Sequence, residues 1–135
     1  MTKKILVVDD EETVLFAMRD YFSACGYGVD CAQEMEEALA LIDNVRYSIV
    51  FLDLRLTGIG GVEGLEIVGY VRERCPWTRI VILTAGATPE VEREAHRRSV
   101  DAFLHKPKPL PQLARIAYGL LETGQDAQNT SRQNT

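Results

Sequence analysis

Residues 4–26 read KILVVDDEETVLFAMRDYFSACG, and the change of pattern inside this stretch decides the fold. Ile5, Leu6, Val7 and Val8 form an unbroken apolar run, the pattern of a strand covered on both faces rather than one alternating between core and solvent. Acids occupy positions 9–12, after which Val14, Leu15, Met18, Tyr21, Phe22 and Cys25 step by three or four around one helix face. Gly26 stands where such a helix would end on a left-handed residue. A buried strand, a polar strand end and an amphipathic helix together make half of a parallel crossover unit.

The alternation continues outward along the chain. Residues 4–9 (KILVVD), 48–53 (SIVFLD), 79–84 (RIVILT) and 101–104 (DAFL) are nearly continuous in apolar character, while 27–32 (YGVDCA) alternates and carries Asp30, as a strand near a sheet edge would. Between them, residues 34–45 repeat a helical stripe through Met35, Ala38, Leu39 and Ile42. A third helix spans about residues 62–74 and stops at Cys75-Pro76, because the residue before proline avoids helical angles. A more polar fourth helix runs from near Pro89 to Arg98, and a fifth carries Leu110, Leu113, Ile116, Ala117, Leu120 and Leu121 on one stripe, with Pro111 in its first turn. This order predicts an α/β fold: a doubly wound, five-stranded parallel sheet, (βα)5, with right-handed crossovers and helices on both faces. The folded domain is expected over residues 1–123. Residues 124–135 (GQDAQNTSRQNT) hold no large apolar side chain and are expected as a disordered polar tail or the start of a linker.

Composition narrows the function classes. The chain has 135 residues, 46% of them hydrophobic, and 15 Lys+Arg against 20 Asp+Glu give a formal charge of −5. That balance opposes a surface for nucleic-acid phosphates or for an anionic membrane, and no apolar run is long enough to span a bilayer. The start, Met1-Thr2-Lys3-Lys4 leading directly into a strand, is unlike a signal peptide, and a small cytoplasmic domain is expected. Cys25, Cys31 and Cys75 are odd in number without CxxC spacing, and are expected as small buried hydrophobes in a reducing compartment.

In a doubly wound sheet, ligands sit beyond the carboxyl ends of the strands. Strand 1 ends in Asp9-Asp10-Glu11-Glu12, strand 3 in Asp53 and strand 4 in Thr84, while strand 5 leads into His105-Lys106-Pro107. Singly these residues have ordinary readings: Glu11 and Glu12 suit a helix first turn, and Asp10 suits an N-cap. Together, Asp9, Asp10 and Asp53 in one cleft would repel each other unless a cation sat among them, and oxygen-only donors favour Mg²⁺. Carboxylates around such a metal with a lysine nearby suit phosphoryl chemistry, and a carboxylate can itself accept the phosphoryl group.

These residues, with Phe103 three positions before the lysine, resemble the receiver domain of two-component response regulators, the chemotaxis-regulator type included, over about residues 3–123. The resemblance implies the strand order 2-1-3-4-5. It implies Asp53 as phosphoryl acceptor from a sensor histidine kinase or a histidine phosphotransfer protein, with the domain assisting its own phosphotransfer and aspartyl-phosphate hydrolysis rather than acting as a separate enzyme. Mg²⁺, or Mn²⁺ in its place, would bind Asp10, Asp53 and the Arg55 backbone carbonyl, with Asp9 acting through water. Lys106 and Thr84 would each engage a phosphoryl oxygen, and the Lys106–Pro107 bond would be cis. Thr84 and Phe103 would form the switch, remodelling helix 4, strand 5 and helix 5 (about residues 89–121) for a downstream effector or a homodimer, with no direct nucleic-acid or membrane contact. Arg55 and Gly86 occupy positions that flank the attacking water and would set the lifetime of the phosphorylated state.

The chain departs from that pattern after Asp53. Thr57 replaces the usual proline, and Gly64-Leu65-Glu66 begins three residues later than usual, implying a glycine-rich insertion around Gly58, Gly60 and Gly61 and a longer, more mobile loop. Lys108 and Ser99-Val100 also differ from the usual residues. Two rivals are set apart by the same residues. A flavin or nucleotide binder needs a phosphate cradle after strand 1, where this chain has four acids. A docking-only receiver would be expected to lack catalytic positions that this chain retains.

Overall fold

The computed structural model describes residues 3–55 and 62–134. Strands and helices alternate: β1 (Lys4–Val8), α1 (Glu12–Ala24), β2 (Gly28–Ala32), α2 (Met35–Asn44), β3 (Ile49–Leu52), α3 (Val62–Arg74), β4 (Arg79–Thr84), α4 (Pro89–Arg97), β5 (Ala102–His105) and α5 (Leu110–Asn134). The five strands are parallel in the order β2-β1-β3-β4-β5, so the alternating β2 segment does lie at an edge.

The unbroken apolar runs have a direct cause, since successive side chains point to opposite faces and both faces are buried. Leu6, Val8, Val50, Leu52, Ile80 and Ile82 pack under α2, α3 and α4 with Ala38, Ile42, Leu65, Val68, Val71 and Ala95. Ile5, Val7, Ile49, Phe51, Val81 and Leu83 pack under α1 and α5 with Leu15, Met18, Phe22, Leu113 and Ala117. Phe22 and Phe51 meet at 5.3 Å between ring centroids. Truncating such a buried ring to alanine costs about 3–5 kcal/mol.

Local signals place the helix ends. Gly26 takes φ 100° just past α1, the left-handed value an L side chain resists. Thr88 caps α4 by accepting from the Val91 N–H at 3.2 Å, and Pro89 follows at the first turn. Gly64 has a packing reason: a Cβ there would run into the Leu54 Cα, so only glycine lets α3 rest on the backbone just after Asp53.

Some expectations change. Cys25 is exposed and Cys31 and Cys75 are half-buried, not core residues, because Cys25 caps the end of α1 where the chain turns outward. The N-cap of α1 is Glu11 rather than Asp10, and it makes no side-chain cap bond. Helix α5 runs from Leu110 to Asn134. The inserted loop read around Gly58, Gly60 and Gly61, with Thr57, lies outside the described residues.

Candidate functional site

Strand register builds the site. Val8 pairs with Leu52, and Leu52 with Ile82, so β1, β3 and β4 finish side by side. Thr84 pairs with His105, which delivers Lys106 to the same edge. The residues that meet there are Asp9, Asp53 and Thr84, exposed by only 2%, 7% and 0%, with Asp10 exposed beside them.

Each buried polar atom has a partner. Lys106 Nζ donates to Asp9 Oδ2 at 2.8 Å and to Asp53 Oδ2 at 2.9 Å. Asp53 Oδ1 accepts from the Thr84 hydroxyl at 2.8 Å and from the Arg55 N–H at 3.0 Å. Asp9 Oδ1 accepts from the Glu11 N–H at 2.9 Å. The Lys106–Pro107 peptide is cis.

The electrostatics are tight. Burial pushes the Asp9 carboxyl above its ordinary value; the Lys106 ammonium and the Glu11 N–H oppose that rise without cancelling it. Burial also works to lower the Lys106 pKa, but its bonds to Asp9 and Asp53 outweigh it and hold the ammonium above the usual lysine range. Asp9 and Asp53 share that one ammonium, and one donor oxygen from each of Asp9, Asp10 and Asp53 lies within 4.8 Å of the others. An oxygen-only set still short of positive charge fits a hard divalent cation such as Mg²⁺.

Two features were not visible in the sequence. Glu11, read there as a helix-dipole acid, has its carboxylate 3.5 Å from Lys106 Nζ, and its place directly after Asp9-Asp10 was the available signal. Arg55 reaches across the cleft and donates from Nη1 to the Ala85 carbonyl at 3.2 Å. Gly86 makes room for it: its φ is 68°, and a Cβ there would sit 2.9 Å from that guanidinium nitrogen. Arg55 thus joins the segments following β3 and β4. Beside it lies a cavity of about 200 Å³ that includes Thr84, Gly86 and Val91 in its lining. Phe103, on β5, is half-buried against the core face, with its ring centroid 6.2 Å from that of His96 and 5.5 Å from that of His105.

Comparisons with known proteins bear on the family and the fold. Residues 5–117 match the response regulator receiver domain family. The chain is 34% identical over 122 residues to the alginate biosynthesis transcriptional regulatory protein AlgB of Pseudomonas aeruginosa, covering 90% of this chain but 26% of that protein. It therefore spans about a quarter of that relative's length. In structure it superposes on a CheY-like receiver domain protein from Methanospirillum hungatei with TM-score 0.87 at 24% identity, over 94% of this chain and 99% of that one. A response regulator from Burkholderia pseudomallei, solved with a phosphorylated aspartic acid, a calcium ion and citrate, gives TM-score 0.77 at 25% identity, over 98% of this chain and 75% of that one. Among the described residues, no helix is long and apolar enough to cross a membrane.

Proposed function

The chain belongs to the response regulator receiver domain family, and from that premise we propose that Asp53 accepts a phosphoryl group from a phosphohistidine. The donor is a sensor histidine kinase or a histidine phosphotransfer protein in the cytoplasm, and the working unit is residues 1–123. One observation carries the reading: a buried aspartate held between an ammonium and a hydroxyl, 2.9 and 2.8 Å away, with two further carboxylates beside it.

In the transfer, an Asp53 oxygen attacks phosphorus as the P–N bond to the donor imidazole breaks. The imidazole leaves with the bonding pair and takes up a proton. Lys106 is placed to exchange its bond with Asp53 for one to a phosphoryl oxygen, and Thr84 can exchange its own in the same way. Mg²⁺, or Mn²⁺ in its place, would be held by Asp10, Asp53 and the Arg55 carbonyl, with Asp9 acting through water, and supplies charge neutralisation as the phosphoryl oxygens approach. The domain then hydrolyses its own aspartyl-phosphate, with Arg55 and Gly86 governing how water reaches it. The signal leaves through Thr84 and Phe103 to the face formed by α4, β5 and α5, where an effector or a second copy docks.

Incubation with acetyl phosphate, followed by intact-mass measurement, tests the reading. One added phosphoryl group in Mg²⁺, and none in chelator, is expected. A chain that stays unmodified in both would instead be a docking-only receiver.

A further inference from the structure

Helix α4 is held unequally at its two ends. Ala95 is its one buried side chain, so apolar packing gives this helix little anchorage of its own. At its C-terminal end, two arginines make a reciprocal clasp with α3. Arg98, the C-cap residue, donates from Nη1 to the Leu65 carbonyl on α3 at 2.9 Å, and from Nε to Glu94 Oε2 at 2.9 Å. Arg72 on α3 returns the contact. It donates to the Ser99 carbonyl from Nε at 2.9 Å and from Nη2 at 2.7 Å, and to Asp101 Oδ2 at 2.9 Å. Asp101 is fixed in turn by the Ile80 N–H of β4, which donates to Oδ2 at 2.7 Å. Guanidinium bonds of this kind are charge-assisted and directional. Together they hold Ser99 at φ 67°, a left-handed value that a residue other than glycine keeps only where its surroundings impose it.

The N-terminal end is tied more lightly. The Thr88 cap bond lies within the helix itself, and Val91 supplies a half-buried contact with the core. Glu92 approaches the exposed His105 at 3.4 Å, and the segment entering the helix is held to β3 by the Arg55–Ala85 bond at 3.2 Å. Under this end lies the cavity of about 200 Å³ lined in part by Leu54, Thr84, Ala87 and Val91. Protein interiors are close-packed, so a void of that size marks the direction in which a helix can move without overlap.

We infer that α4 is a lid hinged at its C-terminal end: Arg72 and Arg98 form the pivot, and the first turn, residues 88–92, closes toward the cavity beside Thr84. A hinge needs one end held and the other free to travel, and the bonds are distributed in that way. The motion belongs to the chain without phosphate, so it stands or falls separately from phosphoryl transfer to Asp53.

The test is backbone NMR relaxation dispersion on the full chain, with neither Mg²⁺ nor a phosphoryl donor present. Exchange broadening is expected at the amides of residues 86–88 and 90–92, fitted by one shared rate, with flat profiles at residues 98–101. Arg98→Ala and Arg72→Ala should spread the broadening to residues 98–101, and Arg98→Lys, which can still donate to Leu65, should restore most of the parent profile. Flat profiles at both ends overturn the inference, as does equal broadening at both ends. Rates that differ from amide to amide also overturn it, because they indicate fraying rather than one moving body. So does a profile that both alanine variants leave unchanged. If Arg72→Ala fails to fold, the parent profile and the two Arg98 variants still decide the matter.

Discussion

The Thr84 hydroxyl donates to Asp53 Oδ1 at 2.8 Å, joining two buried residues at the ends of neighbouring strands before any phosphoryl group is present. A phosphoryl oxygen on Asp53 would therefore compete with the acceptor's own carboxylate for that hydroxyl. With the acceptor carboxylate already holding that hydroxyl, the switch becomes an exchange of partners, and the free energy available is a difference between two bonds rather than a whole one. Thr84→Val keeps the side-chain volume and removes the donor. It is expected to remain a substrate for phosphorylation at Asp53 yet fail to transmit it. In NMR spectra with a beryllofluoride mimic, the shifts across residues 89–121 should collapse in this variant; a full wild-type response there would show that coupling bypasses Thr84.

Metal binding is expected to divide the acidic run. Asp10 is an exposed member of the three-carboxylate cluster, whereas Glu12 lies in the first turn of α1 and is not one of its donors. Asp10→Asn should weaken Mg²⁺ strongly and Glu12→Gln barely, as measured by calorimetry. Trp77 fluorescence is a poor reporter, because Trp77 precedes β4 and so lies at the sheet edge opposite the site, stacked beneath Arg46 at 4.6 Å. Equal losses in the two variants would contradict this division.

Mg²⁺ should also stabilise the fold. At a hundred times its Kd, a ligand that binds only the folded state adds about 2.7 kcal/mol. The expected result is a thermal midpoint that rises with Mg²⁺ concentration in the parent and far less in Asp10→Asn. A midpoint insensitive to Mg²⁺ in the parent would mean that the cluster is not a metal site.

Away from the site, Tyr47 is buried and donates to Asp30 Oδ2 at 2.6 Å. Burial first, and then that bond to a carboxylate, raise its pKa well above the ordinary tyrosine value. A raised folded pKa means the contribution is complete below the unfolded value of about 10 and fades as pH climbs beyond it. Denaturant unfolding should therefore show stability falling above about pH 10, with a shallower fall in Tyr47→Phe. An unchanged slope in that variant would place the alkaline loss elsewhere.

The fold was legible because burial on both faces writes itself into sequence as unbroken runs such as 5–8 and 49–52, and the strand ends then marked Asp9, Asp53, Thr84 and Lys106. What was not legible depends on contacts between segments distant in the chain. The Gly64–Leu54 approach and the Arg55–Ala85 bond have no local pattern. Cys25 satisfied the helical stripe yet caps the C-terminal end of α1, where periodicity no longer reports burial.

The central claim is that Asp53, rather than a neighbouring carboxylate, carries the phosphoryl group. Phosphorylating the chain with acetyl phosphate in Mg²⁺, reducing the acyl phosphate with borohydride and locating the modified residue by peptide mass spectrometry tests it most directly. The predicted result is modification at Asp53 alone, absent in chelator and absent in Asp53→Asn. Modification at Asp9 or Asp10, or undiminished modification of Asp53→Asn, would contradict it.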